Sequence, residues 1–361
     1  MNSYSKTLLS VLLASAVVLF VWGVGVGPAF AVLQDDADDE YSDMTEEEYE
    51  AYMVEYETWQ AADQEPDAVK SGAMLLEFLR KNPASRLAPH AEGSYQRLLA
   101  RCVEGKRYQE LLPLAEQWNA YKPGEDNIIR MIAVAARELK QTEKELWALE
   151  EMYKRSPQVD FAKEIARIYS EIKNDAKYIE WVEVILKTPE ESSNVLLHYD
   201  LFLHHLKSND TPKIKEHAQA TLKAIEQARN LSPEVATLLP DIRHELNHNI
   251  GVMYLTEKRY DDAIQYFLRA LQDKTYANGY FQIGNILWEQ QRISNARMAF
   301  AKAQLFGESA QASADDKALA PRAKERMEQL HRALQNNTLV GIERRYQQAR
   351  EMSDEDLIKP M

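Results

Sequence analysis

The residues best placed to do chemistry are two histidines and a glutamate. His244-Glu245-Leu246-Asn247-His248 reads H-E-x-x-H. On a helix, residues four apart share a face, so both imidazoles can hold one zinc ion while the glutamate serves as general base. Gly251 falls on the glycine of the longer motif H-E-x-x-H-x-x-G-x-x-H, but its third ligand position is Tyr254. A catalytic zinc takes three protein ligands. Asp261 or Asp262 could be proposed as a third ligand, yet they would open the second helix of the same repeat. The expectation is therefore a surface histidine pair, with no catalytic residue, resident metal or cofactor. A zinc-dependent hydrolase using 244–248 stands as the enzymatic alternative. The other histidine-rich stretch holds His198, Tyr199, His204 and His205. His198 and His205 are seven apart and share a face, which reads as packing and solvated side chains. No G-x-S-x-G, phosphate loop, dinucleotide fingerprint or paired-carboxylate arrangement occurs.

The elements that position these residues show in a repeat. Aligned on Gly251 and Gly284, 33 residues apart, Ile250 matches Ile283, Tyr254 matches Leu287 and Ala263 matches Ala296. Phe267 matches Phe300, and Ala270 matches Ala303. Small residues let two helices approach closely, and the large ones fill the space beside them. One such hairpin cannot bury its apolar face alone, so hairpins must stack. Earlier in the chain Pro83, Pro123, Pro157 and Pro189 each follow an apolar helix, and a proline forbids its continuation. Glu138-Leu139-Lys140 with Lys144 recurs as Glu171-Ile172-Lys173 with Lys177, and KRSP at 154–157 recurs as LKTP at 186–189.

The 244–306 pattern resembles the tetratricopeptide repeat, a helix-turn-helix of ~34 residues with an L-G-x2-Y…A-x3-F signature. The resemblance is specific over 244–306, looser over 67–229, and does not reach the leader. It implies an all-α, TPR-like right-handed solenoid of about seven helical pairs. The pairs fall at 45–82, 87–122, 125–156, 158–188, 191–229, 234–274 and 276–306. In such proteins the first helix of each repeat lines a groove for a peptide or partner helix. Carried across, the groove positions are Glu245, His248, Val252 and Thr256, then Asn278, Phe281, Asn285, Trp288 and Glu289. Trp288 has a competing place against the C-terminal helix. The lysines of the carboxylate-clamp subclass are missing here. After Gly307, residues 308–316 read as a loop, Pro321 as the opening of a capping helix, and 339–352 as a shorter helix before a loose tail.

Residues 1–31 read as an export signal: Lys6, an apolar run from Leu8 to Gly27, and an A-x-A site ending at Ala31. The run at 8–27 is also long enough to be an uncleaved anchor. Either way the body is expected outside the cytoplasm, in a bacterial periplasm or held at the inner membrane. Residues 32–44 read as an acidic disordered spacer. The chain's net charge is −14, and residues 35–67 hold 15 acidic residues and no lysine or arginine. The remainder is close to neutral without a basic stripe, which argues against a nucleic-acid partner. A single cysteine, Cys102, excludes an intrachain disulfide and reads as packed within a helix pair. Tyr49, Tyr52, Tyr56 and Trp59 share one face of a helix opened by a Thr45–Glu48 capping box. That face either covers the first repeat or docks a partner. The function expected is a non-catalytic scaffold that grips a protein or peptide, with an inner-membrane module assisting secretion or chaperone complexes as its variant.

Overall fold

The computed structural model describes residues 44–228 and 231–359. The expected export signal at 1–31, residues 32–43 of the expected spacer and the close of the fifth expected pair at 229 lie outside the described residues. Among the described residues there are 17 α-helices and no strand. None of these helices is long and apolar enough to cross a membrane. The chain forms two compact units, one ending at Ile185 and the other beginning at Leu186.

The first unit is built from α1 (Glu46–Asp63), α2 (Ala68–Lys81), α3 (Ala88–Glu104) and α4 (Tyr108–Tyr121), followed by α5 (Asp126–Glu138), α6 (Thr142–Arg155), α7 (Val159–Glu171) and α8 (Asp175–Leu186). Thr45 and Glu48 close the expected capping box on α1, and the Asp67 carboxylate accepts from Lys70 N to cap α2. The α1 aromatic face turns inward. Tyr52, Tyr56 and Trp59 pack on the core, and the Trp59 indole donates to Ser94 Oγ at 3.3 Å. Only Tyr49 protrudes, 47% exposed, so α1 is a cover on the first hairpins. Beneath it Leu75, Leu79, Tyr95, Leu99, Leu111 and Trp118 are fully enclosed, and Cys102 is buried among them.

The second unit contains α9 (Val195–Ser208), α10 (Thr211–Gln227), α11 (Pro233–Thr256), α12 (Tyr260–Asp273), α13 (Ala277–Glu289) and α14 (Ile293–Gly307). It closes with α15 (Ala314–Leu334), α16 (Ile342–Glu351) and the single turn α17 (Asp354–Leu357). The aligned glycines have one role. A methyl group on Gly251 would sit 2.9 Å from the Phe267 ring, and one on Gly284 would sit 2.8 Å from the Phe300 ring. The repeat thus places a bare helix backbone on a phenylalanine face twice, 33 residues apart.

Six hairpins turn on the same device. Lys106, Lys140, Lys173, Asn209, Lys258 and Gln291 take left-handed backbone angles, with φ between 51° and 60°. The following amide then reaches the carbonyl five residues back: Arg107 to Cys102, Gln141 to Ala136, Asn174 to Tyr169, Asp210 to His205, Arg259 to Tyr254 and Arg292 to Leu287. This is a Schellman cap, which satisfies carbonyls that the helix end leaves open. The recurrence of Lys140 at Lys173 is this turn repeated.

The C-terminal region departs from expectation in two places. α15 opens at Ala314 rather than at Pro321, because Ser313 and Asp316 form a capping box and the proline falls inside the helix. The Asp316 carboxylate also accepts from the buried Ala277 amide at 2.7 Å, tying α15 to the start of α13. The tail is not loose. Leu357 is fully buried, the Asn295 amide donates to the Leu357 and Lys359 carbonyls, and Tyr280 and Lys302 both hold Asp354. A run of charged residues concealed one leucine and a row of backbone acceptors.

Candidate functional site

The H-E-x-x-H side chains do lie on one face of α11, but they are not a surface pair. All three are half-buried and held apart by other groups. His244 Nδ1 lies 3.1 Å from the Ala270 carbonyl and so carries its proton there. His248 Nδ1 lies 2.8 Å from the Tyr276 hydroxyl, whose burial keeps it protonated and donating. The Tyr276 ring stands edge-on to both imidazoles, at 4.4 Å from His244 and 5.4 Å from His248. An aromatic ring thus fills the space that a shared zinc ion would need. Burial, then the neighbouring His244, lowers the His248 pKa to about 4, so the ring is neutral at physiological pH.

The rest of a zinc enzyme is also pre-empted. Glu245 accepts from the Tyr199 hydroxyl of α9 and is therefore not aimed at a water. Tyr254, at the third ligand position, lies between two cations, with Lys215 Nζ 4.4 Å and the Arg259 guanidinium 4.2 Å from its ring centre. Asp262 is bound to Arg259, and Asp261 accepts from Gln290. No cluster of three metal-capable side chains among the described residues includes His244, Glu245 or His248. Each feature of the motif has a structural occupation.

The groove positions divide in two. Phe281 is 6% exposed, with the Arg322 guanidinium 5.5 Å from its ring centre; Trp288 is half-buried under Arg326 at 4.6 Å and meets the Phe300 ring edge-on. Both cations come from α15, so these two aromatics are covered rather than open. This agrees with the placement of Trp288 against the C-terminal helix. The α13 polar row is self-bonded, with Gln282 donating to Asn278 at 3.2 Å and Asn285 at 3.5 Å from Gln282. Val252, Thr256 and Glu289 remain exposed. The accessible strip on the first helices of these hairpins is thus narrower than the repeat pattern implied: an apolar Val252, a hydroxyl, a carboxylate and the half-buried amide of Asn285.

The other histidine cluster gains a member that sequence spacing did not reveal. His217, on α10, stacks on His205 with ring centres 5.4 Å apart and brings its Nδ1 to 3.5 Å from His198 Nδ1. Burial depresses the His217 pKa to about 4. His198 also meets the Ser192 carbonyl through Nε2 at 3.1 Å, while His204 lies 3.8 Å from Asp200. The rings of His198, His205 and His217 pack against one another within the α9–α10 hairpin. His217 stands 19 residues from His198, a separation that has meaning only once the hairpin is closed.

Comparison with known proteins adds a family. Residues 244–272 match the tetratricopeptide repeat family. No curated protein matches the chain. Among solved structures, the chain aligns with MamA at 14% identity and a TM-score of 0.31, covering 57% of this chain and 90% of that one. A tetratricopeptide repeat protein from Parabacteroides merdae aligns at 17% identity and 0.27, covering 76% and 99%. The apo form of the quorum sensor NprR from B. thuringiensis aligns at 13% and 0.30, covering 86% and 99%. Scores this low carry no functional argument. The family match falls on the hairpin whose glycine, tyrosine and phenylalanine pack as described above, so residues 244–272 are similar to a tetratricopeptide repeat.

Proposed function

We propose that this protein is a non-catalytic scaffold that holds a polypeptide on the open strip of its second unit. The observation that carries the reading is the engagement of His244, Glu245 and His248 by neighbouring groups. Tyr276, Tyr199 and the Ala270 carbonyl engage the H-E-x-x-H side chains, while Val252, Thr256 and Glu289 on the same helical faces stay accessible. The strip suits an extended peptide or a narrow helix: one apolar contact at Val252, with Asn285 and Glu289 able to meet backbone amides or a basic side chain. The export signal at 1–31 supports a location in the cell envelope, where the scaffold would hold components of a complex together.

Capture from the native envelope tests the reading. The double variant Val252→Asp, Thr256→Lys alters exposed residues only and should retain helicity. It is expected to lose the polypeptide that wild-type protein retains. Equal capture by both would remove the strip as the binding face. A stoichiometric zinc ion lost on His244→Gln would restore the hydrolase alternative.

A further inference from the structure

A buried positive charge in the C-terminal cap has no counter-charge among the described residues. Arg297, on α14, is 4% exposed, and its Nε meets no hydrogen-bond partner. Its polar contact among the described residues runs from Nη1 to His331 Nδ1, at 3.4 Å. His331 Nε2 donates to the Val340 carbonyl at 3.0 Å, which leaves Nδ1 to accept from the Arg297 guanidinium. No carboxylate among the described residues pairs with Arg297. An unpaired ion at that depth is costly, and each such group calls for an explanation.

Arg297 lines a cleft of about 450 Å³, shared by Ser294, Arg345, Gln348, Glu351 and Asp356. Arg345 makes no ion pair among the described residues and donates to Gln348 at 2.6 Å. The two arginines repel, and this adds to burial in lowering the Arg297 pKa. Of the two acids on the rim, Asp356 is neutralised by Lys359 at 2.6 Å, leaving Glu351 against two guanidinium groups. The cleft therefore carries one uncompensated positive charge.

We infer that this cleft binds a carboxylate, seated on the Arg297 guanidinium and steadied by Arg345. A guanidinium offers parallel N–H donors that match the two oxygens of a carboxylate. The charge balance favours a monoanion over a phosphate dianion, which would meet Glu351 with one charge to spare. Ser294 and Gln348 supply neutral donors around it.

The test uses the whole protein at fixed ionic strength set with chloride. Acetate and inorganic phosphate are titrated separately while thermal unfolding and heat of binding are followed. The expected result is saturable stabilisation by acetate, with phosphate weaker. Arg297→Met should abolish the response while leaving the unliganded protein at least as stable, because the substitution removes an unpaired buried charge. Arg345→Gln, at a half-buried position, should weaken acetate by about 10- to 100-fold, the worth of a charge-assisted contact. Tighter phosphate than acetate would overturn the charge argument. Absence of a saturable response, or an undiminished response in both variants, would overturn the site.

Discussion

Replacing Gly284 with alanine tests the reason the repeat exists. In an ordinary helix interior the change stabilises by about 1 kcal/mol, because glycine sacrifices more backbone entropy. Here the added methyl would stand 2.8 Å from Phe300 Cε1 and 2.9 Å from Cδ1, and the ring itself is fully buried. Overpacking of this kind costs about 1–3 kcal/mol, so the net loss should be about 0–2 kcal/mol. For a unit of this size that lowers Tm by up to roughly 8 °C. Gly93→Ala is the control: it also lies inside a helix, α3, but its nearest neighbour would be the flexible Arg97 Nη1 at 3.6 Å. It should stabilise by about 0.5–1 kcal/mol. Urea unfolding followed by circular dichroism reads both. Phe300→Leu should relieve part of the Gly284→Ala penalty in a double-mutant cycle. If Gly284→Ala stabilises like the control, the glycine does not mark the close helix contact.

The hairpin turns, the cap and the buried histidine give three more expectations. Lys258→Gly should stabilise the second unit by about 0.5–1 kcal/mol in urea, because a left-handed backbone suits glycine and strains lysine. Asp316→Ala removes the α15 capping box and strands the Ala277 amide; a loss of about 2–4 kcal/mol is expected, far beyond that of an exposed cap such as Ser353→Ala. His248 is held at about 4, below its ordinary 6.5, so the unfolded chain takes up the proton first as pH falls. Its contribution is complete above about pH 6.5 and fades toward pH 4. Thermal unfolding across that window should show a smaller drop for His248→Gln than for wild type.

The helical class and the seven pairs were legible because prolines end helices and because two hairpins keep glycine, tyrosine and phenylalanine at matching positions. The shared turn was half legible. Lys140 and Lys173 recur in sequence, but lysine does not announce a left-handed angle as glycine would. The C-terminus was misread for a similar reason: Pro321 looks like a helix start, while the capping pair Ser313 and Asp316 lies among small polar residues that read as loop. Leu357 is a single apolar residue in a charged tail, too sparse for a periodic signal, although it is fully enclosed. For the site, spacing put His244 and His248 on one face but could not show Tyr276 wedged against both, since that contact spans 28 residues. Trp288 and Phe281 are covered by arginines from a helix outside the repeat pattern, which no alignment of two hairpins could supply.

Photo-crosslinking from the open strip tests the central claim most directly. A crosslinkable residue is placed at Thr256, at Glu289 and, as a control, at the exposed Gln265 on the second helix of the same hairpin. A single polypeptide trapped from both Thr256 and Glu289, and absent from Gln265, is the predicted result. A polypeptide trapped only from Gln265, or equally from all three positions, would contradict a binding face on the first helices of the repeats.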